Sequence, residues 1–304
     1  MNLQDKQSKW REFIFDEDHS QKSADIFTKL IQQKSPGLEW LAKTVSDHMK
    51  LTESSPFRKA IEAIAAAGET YNTDEPDYHS REHYFHVSAG AAKFAQLHNR
   101  MNVGKDRLTV EEQALVFIAA LGHDIGHEGK GNPEGRPLEN EDKSYQIIYP
   151  MMEDAGMTPA QMHKVELMLN TTSPNGPHKI LKTAVTNYNE KGAADFENIE
   201  GADQFPQLKS LAEDRKLLEM AAILSDADLF PSFGAGPKAN QIMSIRLSNE
   251  TGMDLNNPGA QAYAQQNIVG GSFCSKAGRA IGNPNLKRDM ENTRRQLKAA
   301  TPAP

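Results

Sequence analysis

The chain has 304 residues, about twice the ~150-residue guide for one domain yet close to the upper limit of a single core, so one and two domains both stay open. Apolar residues are 38% and charged residues 25%, the balance of an ordinary globular chain, which excludes general disorder, collagen-like and low-complexity classes. Forty-one acids against 34 bases give a net charge of −7, which repels a nucleic-acid backbone and suits sites where carboxylates hold cations.

The longest near-continuous apolar runs, Ala114 to Leu121 and Leu217 to Leu224, fall far short of the ~18–20 residues that cross a bilayer, so no membrane span is expected. The first twenty residues alternate charge and amide without the apolar segment of a secretory signal, and the expected address is the cytoplasm. The single cysteine, Cys274, allows no internal disulfide and no paired-cysteine site; it is expected to be a small buried or loop residue.

Helix formers dominate and β-branched runs bounded by turn dipeptides are nearly absent, which predicts an all-α fold. A helix from Pro56 to Tyr71 carries Phe57, Ile61, Ile64 and Ala65 as one apolar stripe. The next begins near Ser80 and runs to about Leu97. A third, Thr109 to about His123, opens with a Thr109/Glu112 capping pair and then turns apolar on every side, which places it at the centre. EGKGNPEGRP, after His127, forbids a helix. Helices resume over about 140–155 and 159–170. The stretch from Thr171 to Pro206 reads as a long excursion or lid outside the core. A buried helix follows from Leu208 to about Leu229 and carries Asp226 and Asp228, then a helical patch at NQIMSIRLSN and a basic helical end over NLKRDMENTRRQLKAA.

Imidazoles and carboxylates collect at the ends of these helices: Tyr78-His79 and His83, then His123-Asp124 with His127, then Asp228. His79 and His83 are four apart, so within one helical turn they point the same way. His123 and Asp124 reach one ion where the helix breaks into the Gly126 turn. Imidazole plus carboxylate is the donor set of Zn, Fe, Mn or Ni. A buried acid beside apolar runs needs compensating charge, which a metal supplies.

The order His, His-Asp, Asp resembles the ligand series of the HD-domain metal-dependent phosphohydrolase superfamily. HDIGHEGKGN, residues 123–132, matches the HDxxHxGxxN element of class I 3′,5′-cyclic nucleotide phosphodiesterases at every fixed position. YHSREHYFHV, residues 78–87, resembles their YHNxxHAxDV element at Tyr78, His79, His83 and Val87, and departs from it at Ser80, Tyr84 and His86. Tyr71-Asn72 and Leu138-Glu139-Asn140 are similar to flanking segments of that family, so the resemblance spans about Phe57 to Phe230.

The resemblance implies that His83, His123, Asp124 and Asp228 bind a tight, zinc-like ion, with Asp124 bridging to a second, Mg- or Mn-like ion. It selects Asp228 over Asp226 because the family's ligand follows a small residue and precedes Leu. His79 is then the general acid that protonates the leaving O3′, held in its charged form by Glu82 or Glu139. His127 sits beside the second ion, Tyr78 and Asn132 shape the substrate pocket, and Thr171 or Thr172 holds a coordinated water. Gln241, Gln261, Gln265 and Gln266, with Phe273, are available to recognise a purine. His86 either adds a donor near His83 or is a solvated polar residue.

The implied activity is hydrolysis of cAMP or cGMP to the 5′-monophosphate by a metal-bridged hydroxide. The partner is then a small nucleotide, without nucleic acid or membrane. Alternatives are hydrolysis of another nucleotide, or a di-iron oxygenase on the same scaffold that adds His163 and His178 as ligands. Residues 1–50 are expected to form a helical extension, 51–235 the catalytic core, and 236–304 a helical part that completes or flanks the pocket. Lys287, Arg288, Arg294, Arg295 and Lys298 read as a solvated basic face.

Overall fold

The computed structural model describes residues 2–16, 21–70, 76–174 and 176–300, so Tyr71-Asn72 lies outside the described residues. Among these, fourteen α-helices and short 3-10 and π turns carry the chain and no strand occurs, in line with the all-α expectation. The order is α1 (Leu3–Phe15), α2 (Gln21–Leu30), α3 (Leu38–His48), α4 (Pro56–Thr70), α5 (Arg81–Met101), α6 (Val110–Gly122) and α7 (Glu139–Asp154). It continues with α8 (Pro159–Asn170), α9 (Pro177–Lys191), α10 (Lys209–Glu213), α11 (Arg215–Leu229), α12 (Pro237–Thr251), α13 (Pro258–Tyr263) and α14 (Lys276–Ala300). No described helix is long and apolar enough to cross a membrane.

Helices α5, α6 and α11 pack on one another at the centre. The Thr109 hydroxyl accepts the Glu112 N–H at 3.2 Å while the Glu112 carboxylate accepts the Thr109 N–H at 2.7 Å, which starts α6 one residue after the cap. From Ala114 to Gly122 every residue of α6 is buried. Gly90 of α5 faces Ala227 of α11, where a side-chain carbon at position 90 would lie in ordinary contact, 3.6 Å from Ala227 Cβ. The N-terminal helices share this core: the Trp10 ring lies 4.7 Å from Phe85 of α5 and 5.8 Å from Phe27 of α2.

Three segments differ from expectation. Residues 171–206 are no excursion, since α9 buries Ile180, Leu181, Ala184 and Val185 against α11 and the following turns bury Phe196, Ile199 and Phe205. Their prolines and glycines sit at helix boundaries, Pro177 at the first turn and Gly192 in the left-handed cap, and do not mark a loop. The single helix expected over 208–229 is two, because the Asp214 carboxylate accepts the N–H groups of Lys216 and Leu217 at 3.0 and 3.1 Å and restarts the helix. Finally, α14 begins at Lys276 rather than near Asn285. Asp226 accepts the Cys274 N–H at 2.7 Å and the Ser275 N–H and hydroxyl at 2.6 and 2.7 Å, which caps that end from another helix. Cys274 is buried there, as expected.

Candidate metal centre and its acid group

Three helix ends converge. Ser80 is the N-cap of α5, so His83 stands in its first turn and Tyr78-His79 just ahead of it, off the helix that the i, i+4 spacing suggested. His123 is the C-cap of α6, and Asp124 follows in the turn that Gly126 completes with φ +87. Asp228 lies in the last turn of α11. His83 Nε2 is 3.2 Å from Asp124 Oδ2 and 3.1 Å from Asp228 Oδ1, and His123 Nε2 is 3.0 and 3.6 Å from the same oxygens. One donor atom from each of the four lies within 4.8 Å of every other. Asp226, two residues earlier, is spent on the α14 cap.

The donor set fits a metal ion. His123 Nδ1 lies 2.9 Å from the Ala120 carbonyl, to which it donates, so Nε2 is the bare nitrogen of the neutral ring. That nitrogen is 3.4 Å from His83 Nε2, and both imidazoles are buried. Two lone pairs and two carboxylates at this spacing repel unless a cation or added protons lie between them. Burial lowers the pKa of both imidazoles, but the neighbouring carboxylates outweigh it and raise them. Burial likewise raises Asp228, yet the two imidazoles bring it down to about 2. Two nitrogens and two oxygens suit Zn, Fe, Mn or Ni.

A second cluster adjoins the first: His79, His127 and Glu250. Glu250, in the last turn of α12, lies 2.5 Å from His79 Nδ1 through Oε1, and its Oε2 accepts the N–H groups of Tyr78 and His79 at 2.8 and 3.0 Å. Its side chain is 4% exposed. Burial raises the Glu250 pKa, and the contacts with His79 more than reverse this and hold it low. Gly129, with φ +74, closes over the carboxylate, and a side-chain carbon there would meet Glu250 Cγ at 2.9 Å. The His127 ring stacks on His79 with centroids 3.7 Å apart. Burial, then the nearby His79 charge, lowers His127 to about 4, so His127 is neutral at pH 7.

The sequence missed Glu250, which no motif marks and which lies 171 residues from His79. The two acids expected in that role are engaged elsewhere: Glu82 accepts the Ser35 N–H and hydroxyl, and Glu139 pairs with Arg136 at 2.6 Å. The buried Tyr78 hydroxyl lies 3.0 Å from Ser232 Oγ. Asn132 ties its loop to α7, donating to Pro137 O and Glu141 Oε2 at 2.8 and 2.9 Å and accepting the Asn140 N–H at 2.8 Å. Thr171 and Thr172 donate to the carbonyls three residues back. His86 is neither in the cluster nor solvated; it is buried, stacked on Trp10, and burial keeps it neutral. His163 stands at the surface 2.9 Å from Glu166, and His178 is buried beside Ser225, so neither joins the four-donor group. Gln265 and Phe273 are buried in packing, Gln261 is bound to Ser244 and Leu255, and Gln241 and Gln266 are exposed. Lys287, Arg288, Arg294, Arg295 and Lys298 of α14 are exposed.

This architecture is similar to solved phosphodiesterase catalytic domains. The phosphodiesterase domain of the RhoPDE fusion protein from the choanoflagellate Salpingoeca rosetta is 14% identical with a TM-score of 0.51, covering 90% of this chain and 89% of that chain. LmjPDEB1, solved in complex with IBMX, is 13% identical with a TM-score of 0.57, covering 98% and 92%. No family model and no curated protein matches the sequence. The chain thus has the phosphodiesterase catalytic-domain fold.

Proposed function

We propose that this chain is a metal-dependent phosphodiesterase that hydrolyses a 3′,5′-cyclic nucleotide, cAMP or cGMP, to the 5′-monophosphate. One observation carries the reading: a four-donor cluster with both imidazoles buried stands beside a separate histidine whose far nitrogen is backed by a carboxylate, at 2.5 Å. The fold similarity to phosphodiesterase domains supports it. His83, His123, Asp124 and Asp228 would hold a zinc-like ion, and Asp124 would also reach a second, Mg- or Mn-like ion. Such ions lower the pKa of bound water from ~15.7 towards neutrality and polarise phosphoryl oxygens.

The chain's own groups supply the rest. The Glu250 carboxylate, 2.5 Å from His79 Nδ1, fixes that side of the ring and leaves Nε2 to carry the proton for the leaving group. As water oxygen joins phosphorus and the P–O3′ bond breaks, that proton passes to O3′, an assistance of roughly 10²–10⁴ in rate. Neutral His127 packs the imidazole in place without adding charge. Tyr78 and Asn132 would shape the substrate pocket. Residues 51–235 would carry the metal-binding core, and residues 236–304 complete it with Glu250. One unpaired cysteine suits a cytoplasmic setting. Because LmjPDEB1 takes the small molecule IBMX, a small-molecule substrate suits the fold.

The test is turnover of cAMP and cGMP by purified protein with Mg or Mn in ¹⁸O-labelled water. One ¹⁸O should enter the product phosphate, with no need for dioxygen. Failure to cleave either nucleotide rejects the substrate; a dioxygen requirement points to the oxygenase.

A further inference from the structure

A cavity of about 550 Å³ lies outside both clusters, walled by the α2–α3 loop, the end of α4, the start of α5 and α12. Its charged lining is Lys34, Glu69, Arg81, Glu82 and Arg246. Both carboxylates are already committed to the loop. Glu82 accepts the Ser35 N–H at 3.0 Å and the Ser35 hydroxyl at 3.1 Å, and Glu69 accepts the Leu38 N–H. Gly37 is shaped to this arrangement: its φ is +102, and a side-chain carbon there would lie 2.7 Å from Glu69 Oε1. Two of the three cations are less satisfied. Half-buried Arg246 and exposed Lys34 make no hydrogen bond or close ion pair among the described residues, although both lie near enough to Glu82 to offset a small part of the rise that burial gives its pKa.

A guanidinium kept partly from water without a partner is costly, and a planar donor fork matches phosphate oxygens in pairs. Arg81 is engaged with Glu69, 3.9 Å from its carboxylate and donating to its carbonyl at 3.3 Å, so Arg246 and Lys34 face one further carboxylate, Glu82, which is already hydrogen-bonded to Ser35, and the remaining demand is for an anion. The volume lies within the range of small-molecule sites. We propose that this cavity binds a phosphate-bearing small molecule about the size of a mononucleotide, with Arg246 as its anchor and Lys34 as a second charge. The site does not depend on the hydrolase reading. Arg246 precedes Glu250 by one turn on the same face of α12, so an anion held there bears on the helix that supports His79.

Calorimetric titration of the full-length, metal-loaded protein with phenylphosphonate, a probe whose P–C bond resists hydrolysis, tests the assignment. Arg246→Gln and Lys34→Gln should each raise the dissociation constant, the first by about tenfold or more, as expected for a lost charge-assisted pair. Asp124→Asn, whose side chain lies in the metal cluster and not in the cavity lining, should keep the binding event at a temperature well below its melting point. Lys34 is exposed, so its variant reports even where Arg246→Gln disturbs the fold. Loss of binding in Asp124→Asn, retention in both cavity variants, or no saturable binding to the unmodified protein would overturn the proposal.

Discussion

His79 stands between two unlike neighbours, the Glu250 carboxylate at 2.5 Å and the His127 ring stacked at 3.7 Å. The first fixes Nδ1 of the imidazole, and the second, lowered to about 4 by burial, packs against its face as a neutral ring. His79→Ala should keep bound metal and lose about 10²-fold or more in kcat on the cyclic nucleotide, roughly 2.7 kcal/mol of transition-state stabilisation. The same variant should retain most activity on bis(p-nitrophenyl) phosphate, whose leaving group needs little protonation. Glu250→Gln should lower kcat by about tenfold with KM little changed, because it weakens a proton donor and removes no substrate contact. Equal losses on both substrates in His79→Ala, or loss of metal, would assign His79 a structural role. His83, His123-Asp124 and Asp228 stood out in the sequence as imidazoles and carboxylates at helix ends, and the family resemblance chose Asp228 over Asp226; the fold brings the four together. Glu250 carries no such mark: Glu82 and Glu139 lie nearer the motif in sequence, and only the packing shows that Ser35 and Arg136 occupy them.

The helices were legible where their caps are local. Thr109 with Glu112 and Thr158 with Pro159 announce α6 and α8 within four residues, both helices start there, and at α8 Gln161 completes a capping box. The start of α14 was hidden because its cap, Asp226, comes from 48 residues upstream. The stretch containing α9 was misread because four apolar residues make a stripe too sparse to register against its boundary prolines and glycines. Helix α14 also buries an acid whose ionisation opposes folding. Burial pushes the Asp289 carboxyl up to about 6, only partly offset by Arg288 and the Asn240 amide. The folded state thus favours the protonated form. That preference is fully present below the ordinary carboxylate range and is lost as pH rises through about 6. Asp289→Asn should therefore melt higher than the parent at pH 8, by about 2 °C or more, with the difference vanishing near pH 4. A constant difference across thermal scans from pH 4 to 8 would show that the titration has no bearing on stability.

For the molecule as a whole, a cation at the donor cluster would join the starts and ends of three central helices. Protein purified without chelator should hold about one tightly bound transition ion per chain, measured by elemental mass spectrometry. Asp124→Asn or chelator should remove it and lower the melting temperature, since a ligand that binds only the folded state stabilises that state. Metal-free protein of unchanged stability would overturn the reading. The donors lie between residues 83 and 228, whereas the His79–Glu250 pair closes a span of 171 residues. Closing the longer span costs more chain entropy and must await α12. On the proposed reading, bound metal and turnover therefore report on different extents of folding: an ion can be captured once the central helices meet, while the His79–Glu250 pair forms only after α12 has docked, which makes turnover the stricter gauge of complete folding.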